Sequence, residues 1–310
     1  MLHKVLNYVL PHGRFASLLI ILYHRVVWQS DPLNTDILHR EKFKAQIQFF
    51  KQFYQIMPIN EGISRLLEGS LPYNALCITF DDGYQDNVDI ALPILKSYKI
   101  PATFFIATGF LQGKLMFNDY ITESIRGFHE RLRCGEHQFD CSTLAGKRLA
   151  INFFINKIKN LAHQERIAYL KDFLPVTSIK PLMMTEEDIQ TLSKEKMLIG
   201  AHTVNHPVLS KEDDNTAYEE IKASKNYLQN IIQSEIQWFA YPNGKWQQDF
   251  DQKHCEMVKN LGFMGAFTTD RAYAKRAMDP FRIPRFTPWG RTPLKMFRQL
   301  SFYYFKNAFI

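Results

Sequence analysis

The stretch Ala75 to Asn87, ALCITFDDGYQDN, decides how the rest of the chain is read. Leu76, Cys77, Ile78, Thr79 and Phe80 make a short run of β-formers, the pattern of a strand buried on both faces. The run stops at two adjacent acids, Asp81 and Asp82, and Gly83 then lets the chain turn without a Cβ penalty. In α/β folds the carboxyl ends of the strands form the ligand-binding face, so this order puts two carboxylates at the mouth of a cavity. Taken alone, the same residues also fit a plain polar turn after a strand.

Far downstream, Met197, Leu198, Ile199 and Ala201 form a second apolar run, which leads into His202-Thr203-Val204-Asn205-His206-Pro207. Histidines four apart would share a face of a helix. Pro207 disfavours the α region at His206, which places the pair on a turn leaving a strand end. Catalytic zinc-type sites use three His or carboxylate ligands and keep one position open. His202, His206 and one aspartate supply that set and leave the other aspartate free to act as a base. A zinc protease would carry a glutamate directly after the first histidine, and Thr203 stands there instead.

TFDDG at 79 to 83 and HTVNH at 202 to 206 resemble, in order, the first two motifs of the NodB-homology polysaccharide deacetylases. Leu22-Tyr23-His24-Arg25-Val26 resembles the Tyr-His motif that opens a subset of that family, and Phe239-Ala240-Tyr241-Pro242-Asn243-Gly244 resembles its third motif. From Tyr23 to Arg285 the resemblance covers nearly the whole chain. It implies a hydrolase that removes N-acetyl groups from an amino sugar, with Asp81 as base and Asp82, His202 and His206 holding a divalent metal. Zinc is the expected ion, although such a donor set accepts several. The late Leu-x-His motif that supplies the acid in many relatives is missing, and the Tyr-His subset assigns that role to His24. The arginine that usually opens the third motif is also missing. Arg282 or Arg285, with Asp270, then becomes the candidate to orient Asp81, and Arg285 is assigned the role. Tyr241, Pro242 and Asn243 are assigned to substrate and oxyanion binding, through a turn whose backbone N–H meets the oxyanion; a plain Pro-Asn-Gly turn is the alternative.

The order of elements gives an α/β fold, a distorted (β/α) barrel of about seven strands in one domain over residues 1–310, with a mainly helical insertion at about 109–195. Strands are expected near 18–23, 75–80, 102–107, 236–241, 262–268 and 281–286, besides the one before His202. One helix shows Phe43, Ile47, Phe50 and Tyr54 on one face, and the next shows Val88, Ala91, Leu95 and Tyr98. A long helix is expected over Arg148 to Tyr169, a helix start at Thr185, and a cap at Ser210 for the helix that buries Tyr218, Ile221, Leu228 and Ile231. His129, His137 and His163 receive no role.

The 310 residues are 46% hydrophobic, enough for a sizeable core, and carry a net charge of +7. No basic arm or nucleic-acid motif accompanies that charge, so an anionic membrane surface or a phosphorylated substrate suits it better than a nucleic acid. The four cysteines show no paired spacing, which argues against a disulfide framework. The N-terminus lacks the apolar core and cleavage site of a secretory signal, giving the cytoplasm as the expected location. Pro293 to Ile310 interleaves Lys295, Arg298 and Lys306 with aromatic residues, as an interfacial amphipathic helix does, or a helix closing the barrel. The expected partner is an acetylated glycan or a lipid-linked amino sugar, with peripheral contact at the inner face of the membrane. Two other readings are open: an O-acetyl esterase acting on a glycan, and an inactive carbohydrate-binding relative.

Overall fold

The structure is a computed structural model that describes residues 13, 16–159, 161–174, 181–288 and 293–308. Its strands are β1 Leu19–Tyr23, β2 Val26–Val27, β3 Leu38–His39, β4 Gln55–Ile56, β5 Ala75–Phe80, β6 Thr103–Ile106, β7 Arg131–Cys134, β8 His137–Asp140, β9 Leu198–Ala201, β10 Trp238–Ala240 and β11 Gly265–Phe267. One parallel sheet runs in the order β1-β5-β6-β9-β10-β11, with β4 added beside the start of β5. The strands alternate with helices, the order that forces parallel pairing through crossovers.

The sheet curls into a barrel, and residues 283–286 span its last gap. Ile283 exchanges backbone hydrogen bonds with Ala266 and Thr268 at one edge, while Phe286 bonds Ile20 and Leu22 at the other. A seventh regular strand is expected there from the sequence; instead the segment makes isolated bridges to Phe267 and Ile21. Pro284 has no N–H to give a ladder, so regular pairing is broken between the two contacts.

Strand alternation sorts the core into two layers. Ile20, Cys77, Phe105, Trp238, Phe267 and Ile283 pack together inside the barrel. Ile21, Ile78, Phe104, Ile199 and Phe239 pack outward against helix residues such as Phe43, Phe50, Leu95 and Leu228. Gly200 is required in β9, because a Cβ there would lie 2.4 Å from the Phe105 ring. The helix Arg40–Phe53 buries Phe43, Ile47 and Phe50, with Tyr54 just past its end as the C-cap. After β5 the chain makes a π turn, Asn87–Ala91, before the helix Leu92–Tyr98.

Several local expectations are corrected. The helix anticipated over Arg148 to Tyr169 is two helices, Leu144–Ile158 and His163–Phe173. The second has its own start, because the Glu165 carboxylate turns back to accept the Ala162 N–H at 3.1 Å. The β7-β8 hairpin lies in the same region, and Ile121, Ile125, Leu132, Ile151, Phe154 and Leu170 form a satellite core there. Thr185 caps the helix Glu186–Lys194 through a reciprocal bond with Asp188, as its sequence signature indicates. Ser210 is not the next cap: Asp213 accepts the Asn215 and Thr216 N–H groups, while the Ser210 hydroxyl donates to the Gln248 carbonyl.

The C-terminal helix Pro293–Ala308 closes against the barrel. Met296 and Leu300 are buried in the main core, Tyr303 packs on Phe286, and Tyr273 donates to the Leu300 carbonyl. Of the stripe that would have met lipid, Met296 and Leu300 are thus taken up by the fold, while Phe302 remains exposed. Met1 to Pro11, Phe309 and the side chains of Phe297, Tyr304 and Phe305 lie outside the described residues. Among the described residues no helix is long and apolar enough to cross a membrane. All four cysteines are buried and free.

Candidate active site

Inward-facing positions on β5 are Cys77 and Thr79, and the same alternation carries Asp81 into the barrel mouth. On the closing segment Ile283 faces inward, and so does Arg285 two residues on. The two side chains meet there as a buried bidentate pair: Arg285 Nη1 and Nη2 donate to Asp81 Oδ1 and Oδ2, both at 2.6 Å. The guanidinium is itself fixed, because Nε donates to the Thr268 carbonyl at 3.1 Å and Nη1 to Thr79 Oγ1 at 3.3 Å. Both Asp81 oxygens are therefore oriented by a fork-to-fork contact whose geometry a lysine would not reproduce. Arg282 is elsewhere, paired with Asp279 at 3.1 Å and stacked on Trp246. Among the described residues Asp270 is not one of the partners of Arg285; its N–H donates to Thr268 Oγ1 at 3.2 Å.

Asp82 breaks the alternation. Its φ is 78° and that of Gly83 is 89°, so two left-handed residues in succession turn its carboxylate to the strand-end face. Asp82 Oδ1 lies 3.4 Å from His202 Nε2 and 3.5 Å from His206 Nε2. That oxygen is buried and has no hydrogen-bond partner. Tetrahedral bonds of about 2.1 Å to one ion put neighbouring donor atoms about 3.4 Å apart, so the residues present fit a divalent cation. One donor atom from each of Asp82, His202 and His206 lies within 4.8 Å of the others.

The imidazoles are prepared for this. His202 Nδ1 sits 2.7 Å from the Ala240 carbonyl at the end of β10, which fixes the tautomer with the proton on Nδ1 and leaves Nε2 as a lone pair. Burial lowers the pKa of His202, but Asp81 and Asp82 outweigh it and the net direction is up. Proton and cation thus compete for one nitrogen. Burial pushes His206 down to about 3, keeping its ring neutral. For Asp82, burial opposes ionisation, yet the neighbouring imidazoles, His202 at 3.4 Å first and then His24 and His206, hold its carboxyl below the usual carboxylate range.

The turn from Thr203 to His206 is not helical, in line with the reading of Pro207, but His206 takes φ 50° instead of an extended conformation. Thr203 is also left-handed, at φ 64°, which is strained for a β-branched residue. Glu220, on the helix Asp214–Ile232, holds this turn by accepting the Val204 N–H at 2.9 Å, the Asn205 N–H at 2.8 Å and Asn205 Nδ2 at 2.6 Å. Nothing local in the sequence marks Glu220, whose partners lie a helix length away.

The remaining assigned residues divide. His24 stands exposed at the end of β1 and, with Asp82, lines a cavity of about 640 Å³. The Tyr241 side chain is not in the site: it is buried, stacked on Phe250, and donates its hydroxyl to the Phe281 carbonyl. The Tyr241 N–H is used by Phe267 and the Gly244 N–H by Pro242. Pro242 has no N–H, so the Asn243 N–H is the one in this turn left to meet an oxyanion.

A half-buried charged group that sequence reading missed reaches the same cavity through Arg25 and Asp119. Arg25 Nε donates to Asp86 Oδ2 at 2.8 Å, and its Nη1 lies 3.8 Å from Asp119 Oδ1. Tyr84 donates its hydroxyl to Asp119 Oδ2 at 2.9 Å. One guanidinium serves two acids, half-buried Asp86 and buried Asp119, and burial pushes Asp119 up to about 7 despite Arg25 and Tyr84. The stability this carboxyl contributes is present in full below the ordinary aspartate range and is lost as pH rises through about 7. Asp119→Asn should therefore gain melting temperature relative to wild type as the buffer moves from about pH 5 to about pH 8. A difference that stays constant across that window would refute the raised pKa.

A parallel barrel that carries a carboxylate and two histidines converging on one point, beside an acid locked to a buried arginine, has the make-up of a metal-assisted hydrolase. The chain belongs to the polysaccharide deacetylase family, whose profile matches residues 68–266. It is 25% identical over 283 residues to a poly-β-1,6-N-acetyl-D-glucosamine N-deacetylase of Staphylococcus epidermidis, covering 87% of this chain and 78% of that one. The protein of the same description from Staphylococcus aureus is 22% identical over 282 residues, with the same coverage. In fold the chain is similar to the Streptococcus pyogenes deacetylase PplD in complex with acetate, with TM-score 0.63, 20% identity and coverage of 91% and 97%. It is also similar to IcaB from Ammonifex degensii, with TM-score 0.61, 17% identity and coverage of 92% and 99%.

Proposed function

We propose that this protein hydrolyses the N-acetyl amide of an acetylated amino-sugar polymer of the poly-N-acetylglucosamine class. The observation that carries this reading is the Asp82, His202, His206 donor triangle with Asp81 Oδ2 only 3.9 Å from His202 Nε2. Asp82 Oδ1 and the two Nε2 atoms are the residues that would hold a divalent cation. Such a cation supplies Lewis acidity to the acetyl carbonyl and the attacking water. Asp81, held at both oxygens by Arg285, takes the water's proton on the side facing the triangle. His24, across the cavity mouth, gives a proton to the leaving sugar amine as the C–N bond breaks. The Asn243 N–H, which no backbone acceptor among the described residues takes up, is the donor assigned to the oxygen that gains charge when the carbonyl carbon becomes tetrahedral. The products are acetate and a free amino sugar.

A finer proposal follows from the net charge of +7: a lipid-linked amino sugar handled in the cytoplasm, at the inner face of the membrane. It rests on charge alone, since Met296 and Leu300 are buried against the barrel. Acetate release across three substrates separates the readings: an N-acetylglucosamine polymer, an O-acetylated glycan and a lipid-linked N-acetylated amino sugar. Turnover of the polymer is expected. Release from the O-acetylated glycan alone would make the protein an esterase, and no release from any of the three with metal supplied would make it a binding module. Preference for the lipid-linked substrate would support the finer proposal.

A further inference from the structure

Among the described residues no hydrogen bond holds the His24 imidazole, yet the backbone carrying it is gripped on both sides. Asn87 Nδ2 donates to the His24 carbonyl at 2.8 Å, and the Val26 N–H donates to Asp86 Oδ1 at 3.1 Å. Asn87 Nδ2 also reaches Asp86 Oδ1 at 3.1 Å, so the two polar residues that close the ALCITFDDGYQDN stretch act on one strand-end turn. Between the two gripped groups lies Arg25, whose guanidinium joins Asp86 to Asp119 and lies 4.7 Å from the centre of the Tyr84 ring. Asp119 belongs to the helix Phe117–Arg126 and is 6% exposed. The turn that bears His24 is thus tied both to the loop after β5, which bears Asp81 and Asp82, and to the segment beyond β6.

We infer that Arg25, clamped by Asp86 and Asp119, is a positioning residue that sets His24 at a fixed place relative to Asp81 and Asp82 across the cavity. The inference rests on the reading of His24 as the acid in the proposed reaction. Arg25, with 17% of its side chain exposed, and the two acids it bridges are largely removed from water, a group that is costly to assemble and returns little net stability, so its use lies in fixing geometry. A displacement of about 1 Å in a proton donor costs up to about 10²-fold in rate, which such a clamp prevents. Because Arg25 and Asp119 also line the cavity, direct sugar binding is the competing role, and it would appear in KM instead of kcat.

The test is a double-mutant cycle on acetate release from an N-acetylglucosamine polymer. Arg25→Lys keeps the charge and shortens the fork; Asp86→Asn keeps an acceptor for the Val26 N–H and removes the charge facing Arg25. Each is made in wild type and in His24→Gln, with melting temperature and metal content measured alongside. In wild type, kcat should fall about 30-fold with KM within about twofold, and in the His24→Gln background the further loss should be under about threefold. Metal content should be unchanged. Equal losses in both backgrounds, or a rise in KM at constant kcat, would overturn the positioning role. His24→Gln turning over at the wild-type rate would instead remove the reading of His24 on which the inference rests, and the inference with it.

Discussion

Asp81→Asn should lower kcat for acetate release by about 10³-fold or more while the purified protein keeps its full complement of metal. The separation follows from geometry. Asp82, His202 and His206 supply the converging donor atoms, and Asp81 is outside that set, with both oxygens bonded to Arg285. An amide retains the shape and one acceptor but has no second carboxylate oxygen to take a proton, so the water loses its base and the donor triangle is untouched. Steady-state kinetics with elemental analysis of the same sample reads both halves. Activity within tenfold of wild type would mean that another group takes the proton, and parallel loss of metal and activity would make Asp81 a ligand.

Arg285→Met is expected to be the most destabilising single substitution in the site, at about 3–5 kcal/mol, because it leaves a buried carboxylate without its partner. The Arg285 side chain is fully buried and that of Asp81 is 2% exposed, so water does not make good the loss. The Thr268 carbonyl would lose its donor too. Urea unfolding should show this as a lower midpoint, and the double variant Asp81→Asn/Arg285→Met should regain a good part of the stability, since the orphaned charge is then gone. A single variant as stable as wild type, or losses that simply add, would show that the pair is not the unit described.

Asp81 and Asp82 were legible because a buried strand ending in two acids is a local pattern; which of them is base and which ligand came from the family resemblance, and the inward parity of Cys77, Thr79 and Asp81 appears only in the structure. The turn at His202 to His206 was legible for a similar reason, through Pro207. The contacts that hold these groups were not. Ala240 fixes His202 with a backbone carbonyl, which carries no sequence signal. Glu220 reaches the His206 turn from a helix, and Arg25 meets Asp119 across the fold; both depend on tertiary placement alone. The choice of Arg285 over Arg282 is decided by parity on the closing segment, which requires knowing that Ile283 points into the barrel. Local competition explains the misplaced boundaries: Glu165 caps a second helix within an apolar pattern that runs continuously, and Asp213 outcompetes Ser210 because its carboxylate accepts two N–H groups at once. The C-terminal stripe has one pattern for lipid and for a barrel wall, and only the neighbours of Met296 and Leu300 tell them apart.

The most direct test of one cation shared by Asp82, His202 and His206 is a titration of zinc into chelator-stripped protein, followed by acetate release from an N-acetylglucosamine polymer. Activity should start near zero, rise in proportion to added zinc and level off at one equivalent per chain. Full acetate release from the stripped protein, or a rise that continues to two equivalents, would contradict the account.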